Sequence, residues 1–453
     1  MQLLERRVSI PTPPRNSDLI DHIRKSLSFR FVNGEIPIRL AITSVDDSHY
    51  HCEVGCLAGA DVCKWPSIFD FRRRQTKNAG RFNAVFLVPT GVGAEIGGHA
   101  GDATPTAELL ASVCDRLIIH PNVVNASDIN EMPANASYVE GSVICRVLMG
   151  TAGLKTVHAN RILVIIDAQP DEMIENLTLN TIEASRATFG LNCSGIYRLD
   201  PPLVLSASYS ESGRAVGTGD GIDRLFNLLR THRDDYDAVA LSSLITVPDG
   251  YHDAYFSSDG AMVNPWGGVE AMLTHAVSQF LYVPSAHAPM MESREILFAD
   301  SGRVDPRLAA EAISSSFFLC VLKGLKKSPA IVPDSTSTRA TGAFTAEDVS
   351  CLVLPDGCIG LPTLAALQQG IPVVAVREGK GLMGNDLTQL PWRPGQLTIV
   401  ENYWEATGIL AALRAGIAPG AVRRPFAKLE PRTWREAGSA PCTAAVSNIR
   451  GEP

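Results

Sequence analysis

The sequence lacks the features that mark several large classes of protein. Basic residues do not dominate, because the chain has 40 Lys and Arg and 48 Asp and Glu, which gives a formal net charge of −8. Nucleic-acid phosphates need a concentrated basic face, so we expect no nucleic-acid partner. No apolar run approaches the ~18 residues of a membrane helix, and the N-terminal stretch has no apolar signal-peptide core. We therefore expect a soluble, cytoplasmic protein with no membrane partner.

Motifs for the common cofactors are also missing. The glycine-rich stretch GVGAEIGGHAG, residues 91–101, does not follow the G-x-G-x-x-G spacing of dinucleotide sites, and no G-K-[ST] follows as in a P-loop. Histidines and cysteines cluster between His49 and Cys63, but their spacing matches no familiar zinc pattern. We expect no cofactor and no obligatory metal. Zn²⁺ or Mg²⁺ bound by His and Asp between residues 99 and 131 is the alternative.

The chain has the length and apolar content of a two-domain globular protein. Its 453 residues are 45% apolar, enough for two α/β domains. Strand-like and helical stretches alternate, which implies crossover connections and a largely parallel sheet. We predict an α/β fold with two Rossmann-like halves and a small N-terminal α+β appendage. The predicted divisions are the appendage at 1–80, the two halves at 81–245 and 246–420, and a weakly ordered tail at 421–453.

Three local patterns make testable structural predictions. Arg161 to Asp167 reads as a buried strand, and the helix after it should end at Phe189 because Gly190 is a typical C-cap. Residues 248–268 are rich in Pro, Gly, Asp and aromatics and predict a long irregular loop, which in compact domains is usually functional or disordered. A helix is predicted from Pro306 to about Leu325.

The glycine-rich stretch follows a predicted strand and precedes a predicted helix and a second strand. Such a loop can bring backbone N–H groups close to an anion at the helix N-terminus. We therefore assign binding of a substrate carboxylate or phosphate to Gly91, Gly93, Gly97 and Gly98. A tight loop with a purely structural role is the equally weighted alternative.

Polar residues gather where this loop and the end of the next strand should meet. In an open α/β sheet the carboxyl ends of adjacent strands share one crevice. Histidine with an orienting carboxylate is the usual general acid–base group, so we assign catalysis to His99, Asp102 and His120. The substrate-binding candidates beside them are Asn122, Asn125, Asp128 and Glu131. Histidines with only a structural role remain the alternative.

Two cysteines differ from those that lie in apolar runs. Cys114, Cys145, Cys320 and Cys351 are expected to be buried free thiols. Cys193 and Cys358 lie in turns, and a helix N-terminus after Cys358 would lower the pKa of its thiol. Paired thiols suit a cofactor-free racemase or epimerase, with one removing and the other returning a proton. Two structural turn cysteines are the alternative.

Several long motifs carry a family resemblance. They are VFLVPTGVGAEIGGHAGDATP, HPNVVNASDINEMP, YVEGSVICRVLMGT, VNPWGGVEAML and SAHAP. Together they resemble a family of bacterial and plant proteins, the domain of unknown function numbered 3326, over roughly residues 35–420. The resemblance implies no catalytic residue. It indicates that His120 to Asn122, Gly267 to Glu270 and Ala286 to Pro289 belong to the family's pattern, and we add Glu270 and His287 to the substrate-binding candidates.

These patterns predict an enzyme for a small polar metabolite that bears a carboxylate or phosphate. The expected chemistry is cofactor-free proton transfer: isomerisation, elimination, or ring opening or closure, the work of an isomerase or lyase. One alternative is a non-catalytic protein that binds a small ligand or regulates another. Another is a metal-dependent hydrolase or lyase. A small-molecule substrate is the expected partner, and a homo-oligomer is compatible with the sequence.

Overall fold

The computed structural model describes most of the chain. The described residues are 1–13, 18–28, 30–31, 34–61, 65–126, 130–333, 342–426, 428–431 and 433–434. The helices are α1 Leu19–Leu27, α2 Thr104–Ala111, α3 Pro121–Val124, α4 Gly141–Leu148, α5 Glu172–Phe189, α6 Ile222–Thr231, α7 Tyr251–Phe256, α8 Gly267–Leu281, α9 Arg294–Leu297, α10 Ala309–Ala312, α11 Leu319–Leu325, α12 Leu361–Gln369 and α13 Tyr403–Arg414. Short 3₁₀ turns occur at Arg233–Asp235, Ala346–Asp348, Leu387–Gln389 and Pro419–Val422.

The strands form four sheets. In chain order they are β1 Gln2–Pro11, β2 Glu35–Val45, β3 His49–Ala58, β4 Asn83–Phe86, β5 Arg116–Ile119, β6 Ala136–Tyr138, β7 Ala152–Lys155, β8 Ile162–Asp167, β9 Cys193–Leu199, β10 Val204–Tyr209, β11 Ala215–Asp220, β12 Ala238–Ser243, β13 Ile245–Thr246, β14 Ser285–Pro289, β15 Ala330–Pro333, β16 Cys351–Pro355, β17 Ile359–Gly360, β18 Val373–Val376 and β19 Leu397–Val400.

Two of the sheets are parallel throughout. One has six strands in the order β19-β18-β16-β4-β5-β6, and the other has four in the order β14-β12-β8-β9. The six-stranded sheet combines strands from early and late in the chain, and the four-stranded sheet is built from the residues between them. The fold is thus mixed α/β with parallel sheets, which confirms the predicted fold class at that level.

The third large sheet is mostly antiparallel and has the order β13-β10-β11-β1-β3-β2-β17. Its centre comes from the first 58 residues, and β1 pairs with β11 through Leu3 and Gly219. The β2 strand pairs with β17 through Ile42 and Ile359. The N-terminal strands therefore share a sheet with strands from the middle and the end of the chain. The predicted domain divisions stay a prediction, and much of the predicted tail lies outside the described residues.

The strand β8 separates two hydrophobic cores. Because successive side chains of a strand point to opposite faces, Leu163 and Ile165 enter one core while Val164 and Ile166 enter the other. All six residues of β8 are buried, as expected for a strand of a parallel sheet covered on both faces.

Local predictions succeeded where caps or buried runs are clear. Helix α5 ends at Phe189 because Gly190 has φ 65°, the left-handed conformation of a helix C-cap. Residues 248–268 are irregular apart from the short helix α7. The single helix predicted from Pro306 to Leu325 was wrong. The chain there forms α10 and α11, with Phe317 at φ 46° between them, a conformation that a helix interior does not accept.

Helix α8 packs between the seven-stranded sheet and the four-stranded sheet. It packs against α4, β2, β11 and β14, and most of its residues are buried, as expected of a helix enclosed on several sides. Its start lies close to β11, because a Cβ atom on Gly268 would stand 2.3 Å from the Ala215 carbonyl oxygen. Glu270, Thr274 and His275 are polar residues on this mainly apolar helix, and all three face the site described next.

Candidate active site

A cavity of about 340 Å³ lies where the parallel sheets meet α8. Its walls include residues just past the carboxyl ends of the parallel strands: Leu87 after β4, His120 after β5, Glu140 after β6 and Cys358 after β16. The end of β14 and residues 38–41 of β2 complete it. Crevices at the carboxyl ends of parallel strands are the usual ligand sites of α/β folds, and this volume is within the range of small-molecule sites.

Glu140 and His275 form the first acid–base pair on the cavity wall. The Nδ1 atom of His275 lies 2.5 Å from Glu140 Oε1, and the other carboxylate oxygen accepts hydrogen bonds from the backbone N–H and hydroxyl of Ser142. Burial opposes ionisation of Glu140, but the charge of His275 and the hydrogen bonds from His275 and Ser142 lower its pKa. An ionised glutamate therefore fixes His275 through Nδ1 and leaves Nε2 for a substrate.

Glu270 and His287 form a second pair on the same wall. The Nδ1 atom of His287 lies 3.0 Å from Glu270 Oε1. The Nε2 atom of His287 is buried and has no hydrogen-bond partner among the described residues. A buried polar atom without a partner is uncommon and often marks a place for an unseen water or ligand.

His120 is held in the neutral state. Burial is the main cause that lowers its pKa to about 4, with a smaller contribution from the charge of His275. Its Nε2 atom accepts a hydrogen bond of 3.0 Å from the Val88 N–H, so the proton of the neutral ring is on Nδ1. His120 is thus suited to donating a hydrogen bond and is not a proton acceptor near neutral pH.

Glu311 provides a carboxylic acid on the cavity wall. Burial raises the pKa of Glu311 to about 7, although the Ala100 N–H and the Tyr255 hydroxyl favour the ionised form. These donors lie 2.7 and 3.1 Å from Oε1. Glu311 therefore keeps a protonated fraction near neutral pH, and this form can give a proton to a bound molecule.

A buried arginine and a partly buried one contribute guanidinium groups to the cavity, and each is paired with glutamate. Arg214 and Arg39 both line it and belong to the seven-stranded sheet region. Arg214 lies between Glu53 and Glu5, and Arg39 also binds Glu5. The Nε atom of Arg39 has no hydrogen-bond partner among the described residues. This guanidinium edge could receive an oxygen of a carboxylate or phosphate.

The cavity brings together part of the set predicted from the sequence. The residues that line it are Gly91, Gly98, His120, Asn122, Asn125, Glu270, His287 and Cys358. Those that do not are Gly93, Gly97, His99, Asp102, Glu131 and Cys193. Asp128 lies outside the described residues. Glu131 is largely exposed, and its nearest cation is Lys323 at 3.8 Å.

His99 and Asp102 lie behind the glycine loop. His99 is buried with Nδ1 2.9 Å from the Tyr255 hydroxyl, and burial, with the charge of Arg307, lowers its pKa. Asp102 accepts a 2.8 Å hydrogen bond from the Gly97 N–H, and burial raises its pKa to about 7. These contacts hold the glycine loop in place within the protein, whereas the sequence predicted contact with substrate.

The glycine loop itself is engaged with the rest of the protein. Gly91 has φ 76°, and its carbonyl accepts a 2.9 Å hydrogen bond from the Ala215 N–H of β11. The Gly97 and Ala100 N–H groups already donate to Asp102 and Glu311. An anion at this loop would have to use other N–H groups, so binding through Gly91 and Gly98 stays a prediction.

The two turn cysteines are not brought to one cavity. Cys358 lines the cavity, but burial raises the pKa of its thiol to about 12, so the predicted lowering was wrong. Cys193 begins β9 opposite Ile162, at the N-terminal end of β8. A six-residue strand spans roughly 17 Å, which places Cys193 far from the carboxyl ends where the cavity lies. The geometry does not support a two-thiol mechanism.

We expect Cys358 to react with iodoacetamide as slowly as Cys351. Burial raises the pKa of both thiols well above the ordinary value of a cysteine, so the reactive thiolate is scarce at neutral pH. Mass-spectrometric mapping of alkylated cysteines in the native protein measures this. Modification of Cys358 well ahead of Cys351 and Cys114 would contradict the structure and restore the predicted activated thiol.

The predicted burial was confirmed for three of the other four cysteines. Cys114 and Cys351 are buried free thiols, as predicted, Cys320 is buried, and Cys145 is partly buried. Within the described residues, no group of three or more His, Cys, Asp or Glu side chains is placed to hold a metal ion. Cys63, part of the early His/Cys cluster, lies outside them. Elemental analysis of the purified protein is the measurement that tests metal content.

We expect Glu311→Gln to change how stability depends on pH. The folded pKa of Glu311 is about 7 against an ordinary 4.5, so the folded state holds more protons between these values and stability falls as pH rises through that window. The loss reaches at most about 3 kcal/mol above pH 7, and glutamine should remove it. Urea denaturation at pH 5 and pH 8 measures the effect.

The control for this pH prediction is Glu183→Gln, which changes an exposed glutamate that pairs with Arg186. That variant should keep the pH dependence of the wild-type protein. Equal slopes for wild type and Glu311→Gln would show that Glu311 ionises normally in the folded protein.

Sequence reasoning missed Glu140, His275 and Glu311. Glu140 had a signal, because it stands at the N-cap of α4 and just past a strand of the sheet. His275 and Glu270 are polar residues on a helix that is otherwise buried, which is a second signal. Glu311 had none, since α10 is only four residues long.

Comparison with known proteins places the chain in a family. Residues 83–423 match the family described as a protein of unknown function, DUF3326. The chain belongs to this family. A relative from Synechococcus sp. (strain ATCC 27144 / PCC 6301 / SAUG 1402/1), named an uncharacterized lipoprotein, is 33% identical over 348 residues, which is 75% of this chain and 92% of the relative. Family membership confirms the resemblance carried by the sequence motifs.

Location in the cell stays a prediction. The Synechococcus relative is named a lipoprotein. In the part of this chain that the structure describes, no helix combines the length and apolar character required to span a bilayer.

Proposed function

We propose that this protein is an enzyme that moves protons on a small molecule bearing a carboxylate or phosphate, without a cofactor. The proposal rests on one observation: two histidines, each fixed through Nδ1 by a glutamate, line the same cavity as a glutamic acid whose pKa is about 7. In such reactions the base and the acid are two titratable groups whose surroundings give them different pKa values. The reaction classes that fit are isomerisation, elimination, and ring opening or closure.

In this proposal His275 is the general base. Its Nδ1 proton is held by Glu140, and the ionised glutamate stabilises the imidazolium that forms when Nε2 takes a proton. Glu311, in its protonated form, returns a proton at another atom of the substrate. His120 donates a hydrogen bond from Nδ1 to a substrate oxygen, in the neutral state that its lowered pKa favours.

Arg39 and Arg214 would receive the anionic group of the substrate. Both line the cavity, and the Nε atom of Arg39 has no hydrogen-bond partner in the part of the chain that the structure describes. We also propose that the six-stranded and four-stranded parallel sheets are the two Rossmann-like units of the fold. Their carboxyl ends then present His120, Glu140 and His287 to one ligand, as expected for sites in α/β sheets.

The test is a screen for proton exchange. Small carboxylates and phosphate esters with an acidic C–H are incubated with the protein in D₂O, and ¹H NMR follows both deuterium incorporation and new products. We expect exchange or conversion of at least one compound. Saturable binding across the panel with no exchange and no product would favour the alternative class, a non-catalytic ligand-binding protein.

A further inference from the structure

A second cavity of about 240 Å³ lies at the carboxyl ends of β8 and β12. It lies between the four-stranded parallel sheet and the edge of the seven-stranded sheet, because β10 and β13 supply part of its wall. Its lining residues include Asp167, Gln169, Pro170, Leu203, Leu205 and Met290. Met290 is the residue that this cavity shares with the main one.

Asp167 is the charged side chain that lines this second cavity, and one of its carboxylate oxygens accepts no close hydrogen bond from the described residues. Its side chain is nine-tenths or more buried. Oδ1 accepts a 3.0 Å hydrogen bond from the Leu203 N–H, whereas Oδ2 has no hydrogen-bond partner among the described residues. No described lysine or arginine forms an ion pair with it. A buried, half-satisfied carboxylate is costly unless a donor reaches it.

The carboxyl group is largely ionised at neutral pH. Burial raises the pKa of Asp167 to about 6, and the Leu203 N–H together with the charge of His287 limits the rise. The Ser243 hydroxyl and the Leu244 N–H also interact with the carboxyl group and lower its pKa. Asp167 therefore carries a negative charge in the cavity near pH 7. His287 is the basic group whose charge lowers the pKa of Asp167.

The rest of the wall is apolar or neutral. Pro170, Leu203, Leu205 and Met290 provide apolar surface, and Gln169 adds a neutral amide. An anionic oxygen at one end of an apolar pocket is complementary to a cationic nitrogen on an apolar body. We propose that this second cavity binds a small organic ammonium ion, with Asp167 as its counter-ion. The site is separate from the proposed reaction and does not depend on it.

The test uses n-butylammonium chloride as the probe and the methyl groups of [methyl-¹³C]methionine as reporters. Met290 lines both cavities, whereas Met291 and Met383 line the main cavity alone. We expect saturable shifts of the Met290 signal with Met291 and Met383 unchanged. Sodium chloride at equal ionic strength and the neutral analogue n-butanol should not reproduce them.

Variants decide whether Asp167 is the counter-ion. Asp167→Asn keeps an acceptor for the Leu203 N–H and should weaken binding by about tenfold or more. Asp220→Asn, at an exposed position, is the control and should bind as the wild-type protein does. Leu244→Phe keeps the charge but narrows the cavity, and it should also weaken binding. The unchanged Met383 signal reports an intact fold in each variant.

Three results would overturn the proposal. The first is no saturable shift of Met290 with n-butylammonium. The second is equal binding of n-butanol, which would make the cavity a neutral apolar pocket. The third is a folded Asp167→Asn variant that binds the probe as tightly as the wild-type protein.

Discussion

His275→Asn should reduce turnover by about 10²–10⁴-fold, the usual contribution of a positioned general acid–base group. His275 lines the cavity, and its Nδ1 is fixed 2.5 Å from Glu140 Oε1. Asparagine keeps a polar side chain but cannot take a proton near neutral pH. We expect kcat to fall while KM changes little, because the lost interaction is with the transferred proton and not with the anionic group of the substrate.

A matched control for His275→Asn exists on the protein surface. His51 is also paired with a carboxylate, since its Nε2 lies 2.9 Å from Asp46 Oδ2, but its side chain is 41% exposed. His51→Asn should leave turnover unchanged. Glu140→Gln should also lower turnover, because a neutral amide no longer stabilises the imidazolium form of His275.

The double variant separates a joint role from two independent ones. Residues that act as one unit have strongly non-additive effects on rate. Combining Glu140→Gln with His275→Asn should therefore cost little more than His275→Asn alone. Turnover of His275→Asn within about twofold of the wild type, far below the expected effect, would remove His275 from the mechanism.

Arg214→Met should lower the free energy of unfolding by about 3–5 kcal/mol, the usual cost of removing one partner of a buried ion pair. Arg214 is 2% exposed, and it binds Glu53, which is 1% exposed, as well as Glu5. Without the guanidinium, Glu53 loses its cation and Glu5 keeps Arg39 as its ion-pair partner. Burial then opposes ionisation of Glu53, and the Ser210 and Ser212 hydroxyls offset it without the charge of Arg214, which in the wild type helps to lower the pKa.

Urea denaturation at neutral pH measures the effect of Arg214→Met. Arg161→Met is the matched control, because Arg161 pairs with Asp237 at 45% and 42% side-chain exposure, and exposed pairs are worth about 0–1 kcal/mol. Adding Glu53→Gln to Arg214→Met should recover part of the lost free energy of unfolding. The second substitution removes the charge of a buried carboxylate that no longer has its arginine partner. A loss no larger than that of the control would show that water solvates the cluster.

The sequence determined the fold class and much of the local structure. Buried runs such as Ile162 to Asp167 and caps such as Gly190 act within a few residues, so they can be read without knowing the fold. The same local signals placed His120 and Asn122 at the end of a strand, and both line the cavity. Family membership was also carried by continuous motifs, which need no tertiary information.

Local reasoning failed where proximity in sequence differs from proximity in space. Cys193 and Cys358 both looked exposed in turns, yet they lie at different ends of the parallel strands, and burial raises both thiol pKa values. His99 and Asp102 flank a glycine loop in sequence, but neither lines the cavity. Asp102 accepts a hydrogen bond from the Gly97 N–H, and His99 contacts the Tyr255 hydroxyl. Which face of a loop a side chain occupies depends on what packs there.

The candidate site was therefore decided by the tertiary structure. Glu140 and His275 are 135 residues apart in the chain, and the Ala100 N–H and Glu311 are 211 apart. The sequence supplied each side chain, a glutamate at a helix N-cap and a histidine on a buried helix. Their pairing, and the burial that raises the pKa of Glu311, exist only because α8, α4 and α10 pack around one cavity. Proton affinities depend on charges and solvent within a few ångströms, and those distances are fixed only by the folded chain.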